Sequence, residues 1–275
     1  MAPDLLPIIR RELPDFTAER KIGRGGAAQV FLAHDAAGTP VALKILHPEL
    51  RLSLTADRFL REIRLISKLD HPLIPKLVVA GSTETLVYFV MTYSEGHTLR
   101  EILDHRPRLS LSDTRRLGDD LLDALQHAHA HGLVHRDVKP ENIVLSPAGA
   151  VLLDFGIARA IALAESDRVT HSGVAVGSSA YMSPAQASAV GDPDPRDDLY
   201  SVGCVLFECL AGRTPFVHRN ETMVLQMHLT TPAPDVREFR PDVPEALART
   251  LARALAKEQG ERWQTATEMQ QALGG

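Results

Sequence analysis

Two different spacings of apolar residues run along this chain. From Phe16 to Thr92 short β-branched runs are broken by Gly and Pro, which predicts strands over Arg20 to Gly23, Gln29 to Ala33, Val41 to Leu46, Leu77 to Ala80 and Leu86 to Thr92. One helix interrupts them, because Phe59, Ile63, Ile66 and Leu69 recur at helical spacing between Thr55 and Asp70 before His71-Pro72 stops the repeat. After Gly96 the helical spacing takes over. Ser112 to His131 lines up Leu117, Leu121, Leu122, Leu125 and Ala128, and Asp198 to Leu210, Glu221 to Leu229, Glu245 to Ala256 and Thr265 to Leu273 follow, the last opened by a Thr265-x-x-Glu268 capping box. This order predicts an α+β chain of two lobes. A β-rich N-lobe with one main helix spans residues 16–92, a connection spans 92–96, a mainly helical C-lobe spans 97–275, and residues 1–15 form an N-terminal extension. A cleft between lobes is a natural ligand site.

Composition narrows the class without naming a function. With 275 residues, 44% hydrophobic and 24% charged, the chain is ordinary for a soluble globular protein and needs no staples. Lys and Arg number 30 against 35 Asp and Glu, a net charge of -5, so nucleic acid is not the expected partner. Two cysteines, Cys204 and Cys209, fit a reducing compartment, and with no signal peptide the expectation is a cytoplasmic chain. No apolar run approaches the roughly 20 residues of a membrane span. The longest, Val202 to Ala211, is interrupted by Glu208. The two cysteines, five residues apart on one predicted helix, read as small buried apolar groups.

The candidate chemistry begins at Gly23-Arg24-Gly25-Gly26-Ala27-Ala28, a near match to G-x-G-x-x-G. A dinucleotide fold needs a helix directly afterwards, but Gln29-Val30-Phe31-Leu32 continues as a strand. No Gly-Lys-Ser/Thr follows, so a Walker A loop also fails. What remains is a glycine flap between antiparallel strands whose amides reach a polyphosphate. Val41-Ala42-Leu43-Lys44 sets one lysine in an apolar strand, and Glu62 lies on the predicted helix where an ion pair would hold Lys44 extended toward phosphates. His127 and His131, four apart on a helix with His129 and His135 nearby, invite a metal reading, but the structural reading prevails: imidazoles suit a helix C-terminus, and no carboxylate or cysteine is placed to complete a site.

The most specific segment is His135-Arg136-Asp137-Val138-Lys139-Pro140-Glu141-Asn142, followed after a short hairpin by Asp154-Phe155-Gly156. These residues resemble the protein kinase signature H-R-D-x-K-P-x-N and D-F-G in its Ser/Thr-specific form. The resemblance runs from Phe16 to Leu273 and is strongest to the bacterial Hanks-type Ser/Thr kinases, whose S-P-E-Q is similar to Ser183-Pro184-Ala185-Gln186. It implies a bilobal kinase-like fold and transfer of the γ-phosphate of ATP to protein Ser/Thr hydroxyls, including its own. Asp137 would take or orient the acceptor proton and Lys139 would neutralise the γ-phosphate. Asn142 and Asp154 would supply oxygens for Mg2+, with Mn2+ as a substitute. ATP would further meet Ile22, Gly23 to Ala28, Gln29, Val30, Ala42, Lys44, Glu62, Val144, Met91 as gatekeeper and the Thr92, Tyr93 and Ser94 backbone. His135 and Phe155 would pack with Ile66 and Leu77. Asp198 would anchor the catalytic loop. Thr170 and then Ser172 are the expected phosphorylation sites, close in sequence to Arg159 and Arg168. A scaffold without catalysis and a small-molecule kinase are the rival readings. The presence of Lys44, Asp137, Asn142 and Asp154 together opposes the first, and the long segment ending at Ser183-Pro184 opposes the second.

Three positions depart from the family. Ala28 replaces the third glycine and Thr92 an acidic hinge residue, both tolerable exchanges. Ala185 replaces a glutamate whose partner matches Arg262. The expectation is that Arg262 turns to solvent or pairs with Asp192 or Glu258.

Overall fold

The computed structural model describes residues 5–24, 28–46, 63, 66–155, 179–188 and 192–274. Gly25, Gly26, Ala27, Glu62, Thr170 and Ser172 lie outside these described residues, and Arg24 is placed by its backbone alone. The chain divides into two compact units, with the main cut between Ser94 and Glu95.

The first unit is built on a five-stranded antiparallel sheet of order β1-β2-β3-β5-β4, from β1 (Thr17–Arg24), β2 (Ala28–His34), β3 (Pro40–Leu46), β4 (Leu77–Ser82) and β5 (Val87–Thr92). Pairing of Val30 with Lys44, Leu32 with Ala42, Ala42 with Met91 and Lys44 with Phe89 fixes which residues share a face. Because side chains alternate along a strand, Val30, Ala42, Lys44, Phe89 and Met91 lie on one face, and Phe31, Val41, Leu43, Ile45 and Val90 lie on the other. The second face forms the core, and the N-terminal residues cover it. Helix α1 (Leu6–Glu12), with Pro7 in its first turn, buries Leu5, Ile9 and Leu13 against Phe31, Leu43 and Ile45. At the end of α1, Glu12 accepts hydrogen bonds from the hydroxyls of Thr83 and Thr85, which clips the β4–β5 turn. The Thr83 bond first, then Arg11 and Thr85, holds its carboxyl down at about 2. Residues 6–13 are therefore part of the lobe rather than an appendage to it. Seven residues with two apolar pairs and two prolines nearby show too little period to announce a helix.

The second unit is mostly helical. Its short sheet, β6 (His97–Thr98), β7 (Ile143–Ser146) and β8 (Gly149–Leu152), precedes and follows helices α2 (Leu99–His105) and α3 (Leu111–Ala130). The apolar spacing along residues 99–105 does not predict helix α2. It has only two turns, but Thr98 and Glu101 close a full capping box at its start, and Leu99 and Leu103 anchor it. Helix α3 starts at an N-cap, Ser110, and buries the predicted leucine stripe. Next come α4 (Pro184–Ser188), α5 (Pro195–Ala211), α6 (Glu221–Thr230), α7 (Glu245–Ala254) and α8 (Ala266–Gly274). Helix α5 is the central post. Asp194 caps it, Pro195 sits at N1, Gly212 at φ 77° ends it, and every residue from Asp197 to Ala211 is buried. Gly118 of α3 is needed where α3, α5 and α8 meet, since a Cβ there would lie 2.7 Å from a Leu273 methyl. Thr265 caps α8 through the Glu268 amide, but the Glu268 carboxylate returns to the Gln264 amide, one residue before the position that a full box predicts.

His71–Ile74 belong to this second unit despite preceding β4 in sequence. The Leu152 amide donates to the Leu73 carbonyl at 2.9 Å, and His71 Nε2 reaches Asp123 at 3.2 Å.

Candidate active site

In the first unit, the sheet face that carries Lys44 is assembled from three strands. Lys44 is only 6% exposed, and burial pushes its ammonium down to about 7. Its Nζ stands 5.8 Å from the Phe89 ring centroid. Half-buried Val30 and Ala42 and buried Met91 share the face. Ile22 and Gly23 are half-buried on β1, where Gly23 pairs with Val30 and Arg24 with Gln29. Gln29 is buried and accepts from Lys21 Nζ at 2.9 Å. Ala28 is buried in the strand, so the residue in place of the third glycine opens β2. Thr92 binds Lys76 twice: its amide donates to the Lys76 carbonyl and its hydroxyl accepts from the Lys76 amide at 3.0 Å. Tyr93 and Ser94 follow half-buried.

In the second unit, the segment from His135 to Asn142 is a turn held almost entirely from outside. Asp198, at 0% exposure in the first turn of α5, accepts from the His135 amide, the Arg136 amide and His129 Nε2, each at 2.8 Å. Hydrogen bonds to a charged acceptor contribute about 1.5–3 kcal/mol each, enough to hold a strained backbone. Arg136 is indeed left-handed at φ 71°, as is Asp154 at φ 66°, and these are the only positive-φ residues besides glycine among those described. The carbonyl of the same residue is also held, because Gln186 Nε2 donates to the Arg136 carbonyl at 2.7 Å. Ser183 and Gln186 fix each other by a reciprocal pair, Ser183 amide to Gln186 Oε1 and Gln186 amide to Ser183 Oγ. Gln186, the last residue of the segment similar to S-P-E-Q, thereby ties α4 to the turn.

Asp137 sits inside this frame. Its Oδ2 accepts from Asn142 Nδ2 at 2.9 Å and pairs with Lys139 Nζ at 2.7 Å, and Asn142 Nδ2 also reaches the Asp137 carbonyl at 2.8 Å. These bonds fix the plane of the carboxylate. His135 donates from Nε2 to the Leu153 carbonyl at 2.7 Å, so its Nδ1 is the acceptor for the Asp137 amide. Burial keeps this imidazole below its ordinary range, and it stays neutral. It stacks edge-on to Phe155 at 4.6 Å. The Leu153 amide donates to the Asn142 carbonyl at 2.8 Å, which joins the two segments carrying Asn142 and Asp154. Val144 is buried in β7, opposite Val151.

The remaining histidines and cysteines have structural partners. His129 serves Asp198, while His127 lies between His71 and His131, at ring distances of 5.2 and 4.6 Å. Both cysteines are free and buried, and burial pushes their thiols up.

The expectation for Arg262 needs correction. It is neither at the surface nor paired with Asp192 or Glu258: it is fully buried, and Nη1 meets Asp197 at 3.1 Å. Nε and Nη2 donate to the carbonyls of Ala256 and Lys257. The reason is that a buried guanidinium needs a carboxylate beside it, and Asp192 and Glu258 are both exposed and not placed to share its burial. Asp197 is hidden in sequence as one of three acids at the start of a helix.

Comparison with known proteins bears on both units. A family model described as protein kinase domain matches residues 16–273. The chain is 36% identical over 258 residues to the serine/threonine-protein kinase PrkC of Bacillus subtilis, covering 91% of this chain and 39% of that protein. It is 39% identical over 251 residues to the DNA damage-responsive serine/threonine-protein kinase RqkA of Deinococcus radiodurans, covering 89% and 37%. It is 38% identical over 256 residues to the serine/threonine-protein kinase PknB of Mycolicibacterium smegmatis, covering 90% and 40%. The chain thus spans about two fifths of the length of these curated relatives.

Proposed function

Since the chain belongs to the protein kinase domain family, we propose that it transfers the γ-phosphate of ATP to serine and threonine hydroxyls of proteins, its own 156–178 segment among them. The observation that carries this reading is the fixed Asp137 carboxylate, with Lys139 at 2.7 Å and Asn142 at 2.9 Å on the same oxygen. A scaffold without catalysis has no use for that arrangement, and the names of the relatives favour a protein as the acceptor.

Phosphoryl transfer demands positioning and charge neutralisation more than covalent help. In this reading Asp137 accepts the hydroxyl proton and aligns the nucleophile, while Lys139 offsets charge on the transferred group. Lys44, lowered by burial to about 7, regains a firmly bound proton beside a polyphosphate. Thr170 and Ser172 are the proposed acceptors in the chain itself.

The donor set suits a hard divalent cation, Mg2+ or Mn2+. Asn142 spends its amide nitrogen on Asp137, so its oxygen is the atom offered to a cation, and Asp154 adds a carboxylate. Bound there, the ion would neutralise phosphate charge that the protein's own cations leave unmet. Among the described residues no helix is long and apolar enough to cross a membrane, and the two buried free thiols favour a reducing, cytoplasmic setting.

Incubation with radiolabelled ATP and Mg2+, followed by peptide mapping, tests the proposal. Label should appear on Thr170 or Ser172, and Asp137→Asn should lower incorporation by about 10²-fold or more. Equal labelling of the folded variant would refute it.

A further inference from the structure

The backbone that follows β5 is anchored at Thr92. This residue ends the strand, and Tyr93 and Ser94 follow it outside any helix or strand before the chain leaves the first unit. The same stretch of that unit begins at Pro75, so Lys76 and Thr92 stand at the two open ends of one hairpin, β4–β5.

The two residues are joined in an unusual way. The Thr92 amide donates to the Lys76 carbonyl at 2.9 Å, as it would in a sheet. In an ordinary antiparallel rung the opposite residues exchange both bonds, so the Lys76 amide would return to the Thr92 carbonyl. Here it donates to Thr92 Oγ1 instead, at 3.0 Å. The regular ladder of β4 and β5 has stopped one step earlier, at Leu77 with Met91, and it carries a register shift between Leu77 and Val79. A threonine suits the exchange, because its hydroxyl is one bond from Cβ and its branched Cβ restricts χ1. The side chain thus closes the hairpin while the Thr92 carbonyl is left unclaimed by Lys76.

A carbonyl kept out of the ladder is an acceptor for something else. We propose that Thr92 is a specificity-determining residue: its hydroxyl takes the Lys76 amide in place of its own carbonyl, and so keeps that carbonyl open to the 6-amino group of the bound purine. The proposal rests on the kinase reading for the nucleotide, whose adenine edge that reading sets against the backbone of Thr92 to Ser94. The hydroxyl itself touches no nucleotide and acts through the backbone. Without it the Lys76 amide falls back on the carbonyl, and the purine must compete for that acceptor.

The test compares the unaltered chain with Thr92→Ser, which keeps the hydroxyl, and Thr92→Val, which keeps the shape and loses it. Thr92 is exposed, so the fold should tolerate both, and Thr92→Ala serves should the valine variant misfold. Calorimetry with Mg2+ measures Kd for ADP and for purine riboside 5′-diphosphate, which lacks the 6-amino group. The unaltered chain and Thr92→Ser should prefer ADP by about tenfold or more. In Thr92→Val the preference should fall to about threefold or less through weaker ADP binding, with the analogue within about twofold of its original Kd. KM for ATP should rise by about threefold or more in the same variant, with kcat within about twofold. A tenfold preference retained in Thr92→Val overturns the proposal, as does equal weakening of both nucleotides, the mark of a merely structural role. Loss of the preference in Thr92→Ser overturns it too. Absence of phosphate transfer from every protein, with the ADP preference lost only in Thr92→Val, would refute the kinase reading and leave the proposal standing.

Discussion

Replacing Asp197 with alanine removes the carboxylate from a guanidinium that water does not reach. Arg262 is 0% exposed and the Asp197 side chain 6%, at a separation of 3.1 Å. Breaking a buried pair from one side costs about 3–5 kcal/mol, because the surviving charge stays desolvated. Two backbone carbonyls, Ala256 and Lys257, remain on Arg262 after the change and keep part of its solvation. The cost therefore belongs at the lower end, about 3 kcal/mol, which for a chain of this size lowers Tm by about 6–12 °C. Urea denaturation should show the midpoint moving with m unchanged. Adding Arg262→Met in the Asp197→Ala background should return most of the loss, since an apolar replacement leaves no buried charge. Ala185→Glu alone should not raise Tm, because three of the guanidinium's N–H groups already have acceptors. A loss below about 1 kcal/mol in Asp197→Ala would refute the reasoning, as would a clear gain from Ala185→Glu.

Acidification should destabilise the protein through His228. Burial holds it at about 4 against an ordinary 6.5, so the unfolded chain takes the proton first. Stability is full above 6.5 and falls as pH drops toward 4, by about 3 kcal/mol. In His228→Gln the decline between pH 7 and pH 4.5, measured by urea denaturation, should be smaller by about 2 kcal/mol; parallel curves would contradict it. Ile9→Ala should cost about 2–4 kcal/mol although Ile9 precedes the family match, because it is 0% exposed in the first unit's core; a loss under 1 kcal/mol would return residues 5–13 to the status of an appendage. Gly96→Ala should cost at least about 2 kcal/mol by thermal melting, since φ is +145° and the new Cβ would meet the Leu145 carbonyl oxygen at 2.2 Å; an unchanged Tm would show that β6 yields.

What could be read from the sequence depended on whether the signal was contiguous. Strands β1 to β5 and the long helices carry their period within one segment, and the catalytic turn carries its chemistry in eight successive residues. The sequence did not show contacts made by distant, ordinary-looking residues. Asp197 resembles any acid at a helix start, Thr92 any hydroxyl at a strand end, and α2 is too short to show a period. Asp198 lies next to Asp197, yet one serves the His135 and Arg136 amides while the other serves Arg262, a division that side-chain direction on a helix decides and that no linear motif records.

The left-handed Arg136 shows where the shape of the catalytic turn comes from. Its amide is held by α5 and its carbonyl by α4, so the turn keeps a conformation that its own residues disfavour. Damage to either holder lets the turn relax and swings Asp137 away with no change to Asp137 itself. A genetic screen for loss of phosphate transfer would therefore recover Gln186 and Asp198 alleles that mimic removal of the carboxylate, and would assign to chemistry what is a failure of support.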